Sequence, residues 1–116
     1  QALRIKESEG SVDLLTGTND LAFARDKSGD THDITWNGQQ IGEKTWLDFS
    51  IVAAETINEQ NQFATQSAIS GDLRIFSADS KWAGHSSNIV TYNSTDYIAA
   101  ENNFNIDFNG DGVIGS

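Results

Sequence analysis

DFSIVAAETI (48–57) closes the first half of the chain, and TDYIAAENNF (95–104) closes the second. Both carry Ala-Ala-Glu: Ala53-Ala54-Glu55 and Ala99-Ala100-Glu101. Each follows a residue suited to cap a helix, Asp48 in one and Ser94 in the other, because a short polar side chain there accepts an orphan backbone N–H. Phe49, Val52, Ala53 and Ile57 space out as an apolar stripe, as do Tyr97, Ala99, Ala100 and Phe104. The spacing predicts two short helices, one per half.

Upstream of these stretches the halves continue to match. WNGQQIGEKTWLDFSIVAAE (36–55) aligns without a gap on WAGHSSNIVTYNSTDYIAAE (82–101), at a spacing of 46 residues. Trp36 falls on Trp82, Gly38 on Gly84 and Trp46 on Tyr92. Earlier still, Ser28-Gly29-Asp30 recurs as Ser70-Gly71-Asp72 at a spacing of 42. Within each half, LAFAR and HDITW, or QFATQ and LRIFSADSKW, read as strands joined by the Ser-Gly-Asp turn. Asn37-Gly38 and Ala83-Gly84 mark a further turn. QIGEKTW and SNIVTY, β-branched and aromatic, read as extended. The leader LRIKESEGSVDLL adds one or two strands.

The expected fold is therefore α+β: antiparallel strands with two short helices, built from two repeats of about 42–46 residues that share one core. One domain spans 1–116, with leader strands 1–18, repeat one 19–60, repeat two 61–106 and a terminal loop 107–116. A chain of 116 residues buries a core without staples, and this one has no Cys to supply any. It opens on Gln1, which reads as a piece of a longer protein.

The formal net charge of −10 repels phosphate backbones and argues against nucleic acid as a partner. No apolar run approaches the ~20 residues of a membrane span. His32 and His85 do not fall at equivalent positions, and a two-histidine metal site needs further ligands. His85-Ser86 adjacency does not make a nucleophile and base. The acids are many, but no motif singles out a glycosidase pair. The expectation is a protein that is not an enzyme.

The tail carries the clearest chemistry. In DFNGDGVIG (107–115) the residues follow a calcium loop, in which oxygen ligands stand at positions 1, 3, 5 and 7 and Gly at 6. Asp107, Asn109 and Asp111 take positions 1, 3 and 5. Gly112 takes the turn, and the Val113 carbonyl takes position 7. Ca²⁺ suits this set better than Mg²⁺, which demands a stricter octahedron. The bidentate Glu of position 12 is missing, so another oxygen has to complete the shell. Glu101 is the first candidate; Glu55, Glu7, Glu9 and Asp13 are others. A second binding reading rests on aromatics. Trp46 and Tyr92, with Trp36 and Trp82, form a candidate sugar platform, although the matched positions of Trp36 and Trp82 favour core packing.

YIAAENNFNIDFNGDGVIG, together with the upstream Trp and Gly positions, resembles the tryptophan-rich C-terminal repeat domain of cyanobacterial and other bacterial surface proteins. The resemblance covers roughly residues 10–115. It implies calcium and a place in a large, multi-repeat protein. The resulting expectation is a non-catalytic, extracellular or cell-surface calcium-binding domain with neighbouring domains. The alternative is a carbohydrate-binding module whose partner is a polysaccharide or cell-surface component.

Overall fold

Residues 49–57 form a strand, not a helix. A computed structural model describes residues 4–7, 11–17, 20–42, 45–46, 48–110, 112 and 114. In it the first Ala-Ala-Glu lies in β7 (Phe49–Ile57), while the second lies in the helix α1 (Thr95–Phe104). The segments paired at a spacing of 46 thus differ in secondary structure. Phe49, Ile51, Val52, Thr56 and Ile57 are aromatic or β-branched, which favours a pleated surface. Beyond Ile57, Asn58 and Glu59 both adopt positive φ, at 51° and 67°. That is the two-residue turn whose twist suits a hairpin. It pairs β7 with β8 (Gln60–Ser67), with Ile57 opposite Gln60 and Ala53 opposite Ala64. Asp48 caps nothing here; its carbonyl accepts the Ala68 N–H at 2.8 Å and extends the hairpin.

The α+β expectation with two helices is corrected accordingly. The described residues hold ten strands in two sheets and one helix. The smaller sheet is a meander: β1 (Arg4–Glu7), β2 (Asp13–Thr16), β3 (Ala22–Arg25) and β4 (Thr31–Asp33). The leader accordingly supplies two strands. The larger sheet contains β5 (Thr35–Trp36), β6 (Gln39–Gln40), β7, β8, β9 (Leu73–Ala78) and β10 (Ala83–Val90), in the order β6-β5-β10-β9-β8-β7. All neighbours are antiparallel except β5 and β10. The two Ser-Gly-Asp turns join β3 to β4 and β8 to β9, as the sequence predicts.

The larger sheet is covered on both faces around β7, β8 and β9, and β7 accordingly carries a near-continuous apolar run. On one face Phe63, Phe76, Ile51 and Ala54 meet Leu14, Ala22, Ala24 and Ile34. On the other, Ala53, Ala64, Leu73 and Val90 meet Tyr97, Ala100 and Phe104 of α1. Sheet, sheet and helix make three layers.

Ala83-Gly84 begins β10 and is not a turn. The reversal comes earlier, at residues 79–82, where Asp79 Oδ1 accepts the Lys81 and Ala83 N–H groups at 2.9 and 3.0 Å. Trp82 sits there with φ of 65°, unusual for a bulky residue, and its ring is buried in the inter-sheet core. The tryptophan segments of the two halves then lie side by side. Thr35 donates to the Trp82 carbonyl at 3.1 Å, and Gly84 stands beside Trp36 in the parallel pair. A Cβ on Gly84 would approach the Trp36 ring to 2.8 Å and Phe63 to 3.2 Å. Gly84→Ala should therefore overpack the core and cost about 1–3 kcal/mol. Urea denaturation checks this, and an unchanged midpoint would mean that the Trp36 ring swings aside freely.

Candidate C-terminal loop site

Helix α1 begins at Ser94, whose hydroxyl accepts the Tyr97 N–H at 3.2 Å, the cap expected from the sequence. Its inward face consists of Tyr97, Ala100, Glu101 and Phe104; Ala99, placed on that stripe by the sequence reading, faces outward. The helix stops at Asn105, which turns left-handed with φ of 57° and donates to the Glu101 carbonyl. The chain then enters the loop.

Three devices fix that loop. Asp107 organises it from within: Oδ1 accepts the Gly110 N–H at 3.0 Å and Oδ2 the Gly112 N–H at 2.8 Å. Gly110 and Gly112 both have positive φ, 73° and 86°, a region open to glycine without steric cost. Phe108 anchors the loop by packing edge-on to Tyr97 and Phe104, at centroid separations of 6.3 and 5.9 Å. Its carbonyl accepts from Gln66 Nε2 at 2.9 Å, and the same nitrogen reaches the Tyr97 hydroxyl at 3.0 Å. Burial pushes that hydroxyl up to about 12, so it stays protonated at neutral pH. Third, Glu101, fully buried, accepts the Asn109 N–H on Oε2 at 3.1 Å. Asn109 Nδ2 also donates to Asn93 Oδ1 at 2.8 Å.

Of the predicted calcium ligands, Asp107 and Asn109 thus stand together in the loop. Glu101 lies beneath it, holding backbone. Asp111 and Val113 fall outside the described residues. Among the described residues no three His, Cys, Asp or Glu side chains gather as a metal site. The other acids considered for the shell are committed or lie elsewhere. Asp13 pairs with Arg25 at 2.7 Å, Glu7 is on β1, and Glu9 is outside the described residues. Glu55 accepts the Ser11 N–H and hydroxyl, and the Thr56 N–H at 3.1 Å.

This last contact explains why Ala-Ala-Glu occurs in two different secondary structures. In both places the glutamate is a buried acceptor that grips backbone from another part of the fold: the leader for Glu55, the tail for Glu101. The sequence contained the signal, but it was masked by reading both stretches as helices.

The aromatic candidates are dispersed. Trp82 is buried. Trp36 and Trp46 are half-buried against Phe76, at ring separations of 5.0 and 5.5 Å. Tyr92 is 42 % exposed and meets Tyr97 edge-on beneath the helix. Trp46 and Tyr92 belong to opposite faces of the larger sheet, so the structure does not bring this pair together. His32 bonds Asp26 at 3.1 Å. The Ser28 hydroxyl, and then His32, hold the Asp26 carboxyl down at about 2. His85 is exposed on β10.

Among the described residues, two packed β-sheets, one capped helix and an aspartate-glycine loop pinned by a buried glutamate define a β-rich module with tryptophans packed around its core. The chain belongs to the tryptophan-rich Synechocystis species C-terminal domain family, whose profile matches residues 12–115. No curated protein and no solved structure matches it significantly. No helix among the described residues is long and apolar enough to cross a membrane.

Proposed function

We propose that the domain is a non-catalytic, extracellular or cell-surface module of a larger protein, and that Ca²⁺ bound in the C-terminal loop fastens the tail to the body of the fold. The observation that supports this most is the Asp107 carboxylate, which gathers the amides of Gly110 and Gly112. That carboxylate stands at the first position of the calcium-type spacing and already draws the loop backbone around itself. The donor set is hard oxygen, as Ca²⁺ requires. Asp107, Asn109 and Asp111 side chains and the Val113 carbonyl would hold it. The ion would supply charge neutralisation in an acidic chain and no acid–base chemistry.

Glu101 acts in this reading as a positioning residue, since its Oε2 is engaged with the Asn109 backbone. Asn93 and Phe108 serve the same end. Because the unfolded loop lacks this preorganisation, an ion favouring the folded state stabilises it by mass action. At a free concentration of ~100 Kd the gain is about 2.7 kcal/mol, or a rise of roughly 10 °C in Tm for a domain of this size.

Calorimetric titration of EDTA-stripped protein with CaCl₂, beside melting curves, tests the proposal. Near-stoichiometric binding with that rise is expected, and Asp107→Ala should abolish both. If Asp107→Ala and Asp111→Ala respond as fully as the parent, the loop is not where calcium acts.

A further inference from the structure

We infer that the cleft between helix α1 and strands β8–β10 is a binding site for one neutral sugar residue. It has a volume of about 240 Å³ and lies on the helix-covered face of the larger sheet, separate from the calcium-type loop. The sheet contributes Gln62, Ile75 and Asn88 from three neighbouring strands; Ile75 stands directly opposite Asn88. The helix contributes Asp96, Ala99 and Asn103, which share one face because they are spaced by three and four residues. Ala99 is what keeps the cleft open, because a larger side chain at this position would fill it.

The polar side chains at this cleft stand open to solvent and to a ligand: Asn88, Asp96 and Asn103 are exposed and Gln62 is half-buried. Among the described residues, the side chains of Gln62, Asn88, Asp96 and Asn103 make no hydrogen bond to the protein. Three amides and a carboxylate thus line one cleft with their bonding capacity open to solvent or ligand. A second cleft, about 470 Å³, is lined in part by groups already bonded to one another. Around it, Ser11 is bound to Glu55, Asp26 to Ser28 and His32, and Thr56 to Asn61.

The chemistry selects a class of ligand. An amide donates and accepts, which matches a hydroxyl that does both, and a carboxylate accepts from two vicinal hydroxyls. Ile75 and Val90 offer an apolar floor for the C–H face of a ring. No cation lines the cleft, Asp96 is acidic, and the chain carries a net charge of −10, so an anionic ligand is disfavoured. The volume lies just below that of ordinary small-molecule pockets, ~300 Å³ upward, which suits a single ring rather than an oligomer.

The test is a titration of ¹⁵N-labelled protein with the methyl glycosides of glucose, galactose, mannose and N-acetylglucosamine, followed by NMR in calcium and again in EDTA. The expected result is saturable shifts of the Gln62, Asn88 and Asn103 side-chain amides with at least one sugar. Asn103→Leu should weaken that binding about 10-fold, the equivalent of one good hydrogen bond. Ala99→Trp, an outward-facing change on the helix, should abolish it while the rest of the spectrum stays native. No saturable shift with any of the four sugars overturns the inference. So does binding that survives Ala99→Trp. Neither outcome depends on whether the loop takes calcium, because the two solution conditions separate the questions.

Discussion

Phe76→Ala is expected to remove about 3–5 kcal/mol of stability, the range for deleting a buried aromatic side chain. A domain of this size has roughly 6–17 kcal/mol in total, so the variant sits close to unfolding. Phe76 is fully buried on β9 and forms the hub of the inter-sheet core. Phe63 stacks on it at 4.6 Å and 9°, Trp46 at 5.5 Å and 26°, and Trp36 meets it edge-on at 5.0 Å and 76°. Arg74 lies over its ring at 5.5 Å. Aromatic pairs add ~0.5–1.5 kcal/mol each beyond the area they bury, so losing the hub affects three pairs together. Two of the partners are tryptophans, which makes the change visible. Urea denaturation followed by tryptophan emission should give an earlier midpoint and a native-state spectrum shifted to the red as water reaches Trp36 and Trp46. Phe76→Leu should lose less, because it keeps most of the apolar volume. A loss below ~1 kcal/mol in Phe76→Ala would mean that the neighbouring rings close the gap.

Individual turns, caps and strands were legible in the amino-acid sequence, the mostly-β class was not, and the miss has a physical cause. The Ser-Gly-Asp turns, the leader strands, the Ser94 cap and the family all follow from local signals. The first Ala-Ala-Glu stretch did not, because its apolar spacing fits a helix stripe as well as a strand buried on both faces. Such a strand does not alternate cleanly, and a bulge between Ile51 and Ala53 shifts its period further. The deciding signal was outside the stretch, in Asn58-Glu59, whose left-handed pair commits the chain to a hairpin. The reversal at residues 79–82 was hidden in the same way. Asp79 serves as its acceptor, and Trp82 takes a backbone conformation that no propensity favours; the buried ring holds it there.

Site legibility divides along the same line. Asp107 as the head of the loop follows from the spacing of its acids and glycines. The backbone contact of Glu101 does not, because a carboxylate near a calcium-type loop reads first as a ligand. Only the fold shows that it lies beneath the loop and accepts a backbone N–H. The likeness of Glu55 and Glu101 is also chemical rather than conformational: a strand and a helix each deliver one carboxylate to a distant backbone.

Glu101→Ala carries the second large effect, a loss of about 3 kcal/mol. Truncation removes the carboxylate acceptor of the Asn109 amide in a partly buried site, which costs ~1–3 kcal/mol. It also leaves a void among Tyr97, Phe104 and Phe108, the rings that pin the tail. The damage should be local before it is global: hydrogen exchange at the Asn109 amide should accelerate well beyond that of the β8 and β9 amides. Glu101→Gln separates the two roles open to this residue. A glutamine keeps the shape and one carbonyl acceptor, so a positioning residue loses only ~1 kcal/mol and the response to calcium persists. If Glu101 instead ligated the ion directly, loss of its charge would weaken calcium binding strongly while exchange at Asn109 stayed slow. Exchange rates and calcium titrations on both variants therefore give different patterns for the two roles. A Glu101→Ala protein as stable as its parent would exclude the buried clamp altogether.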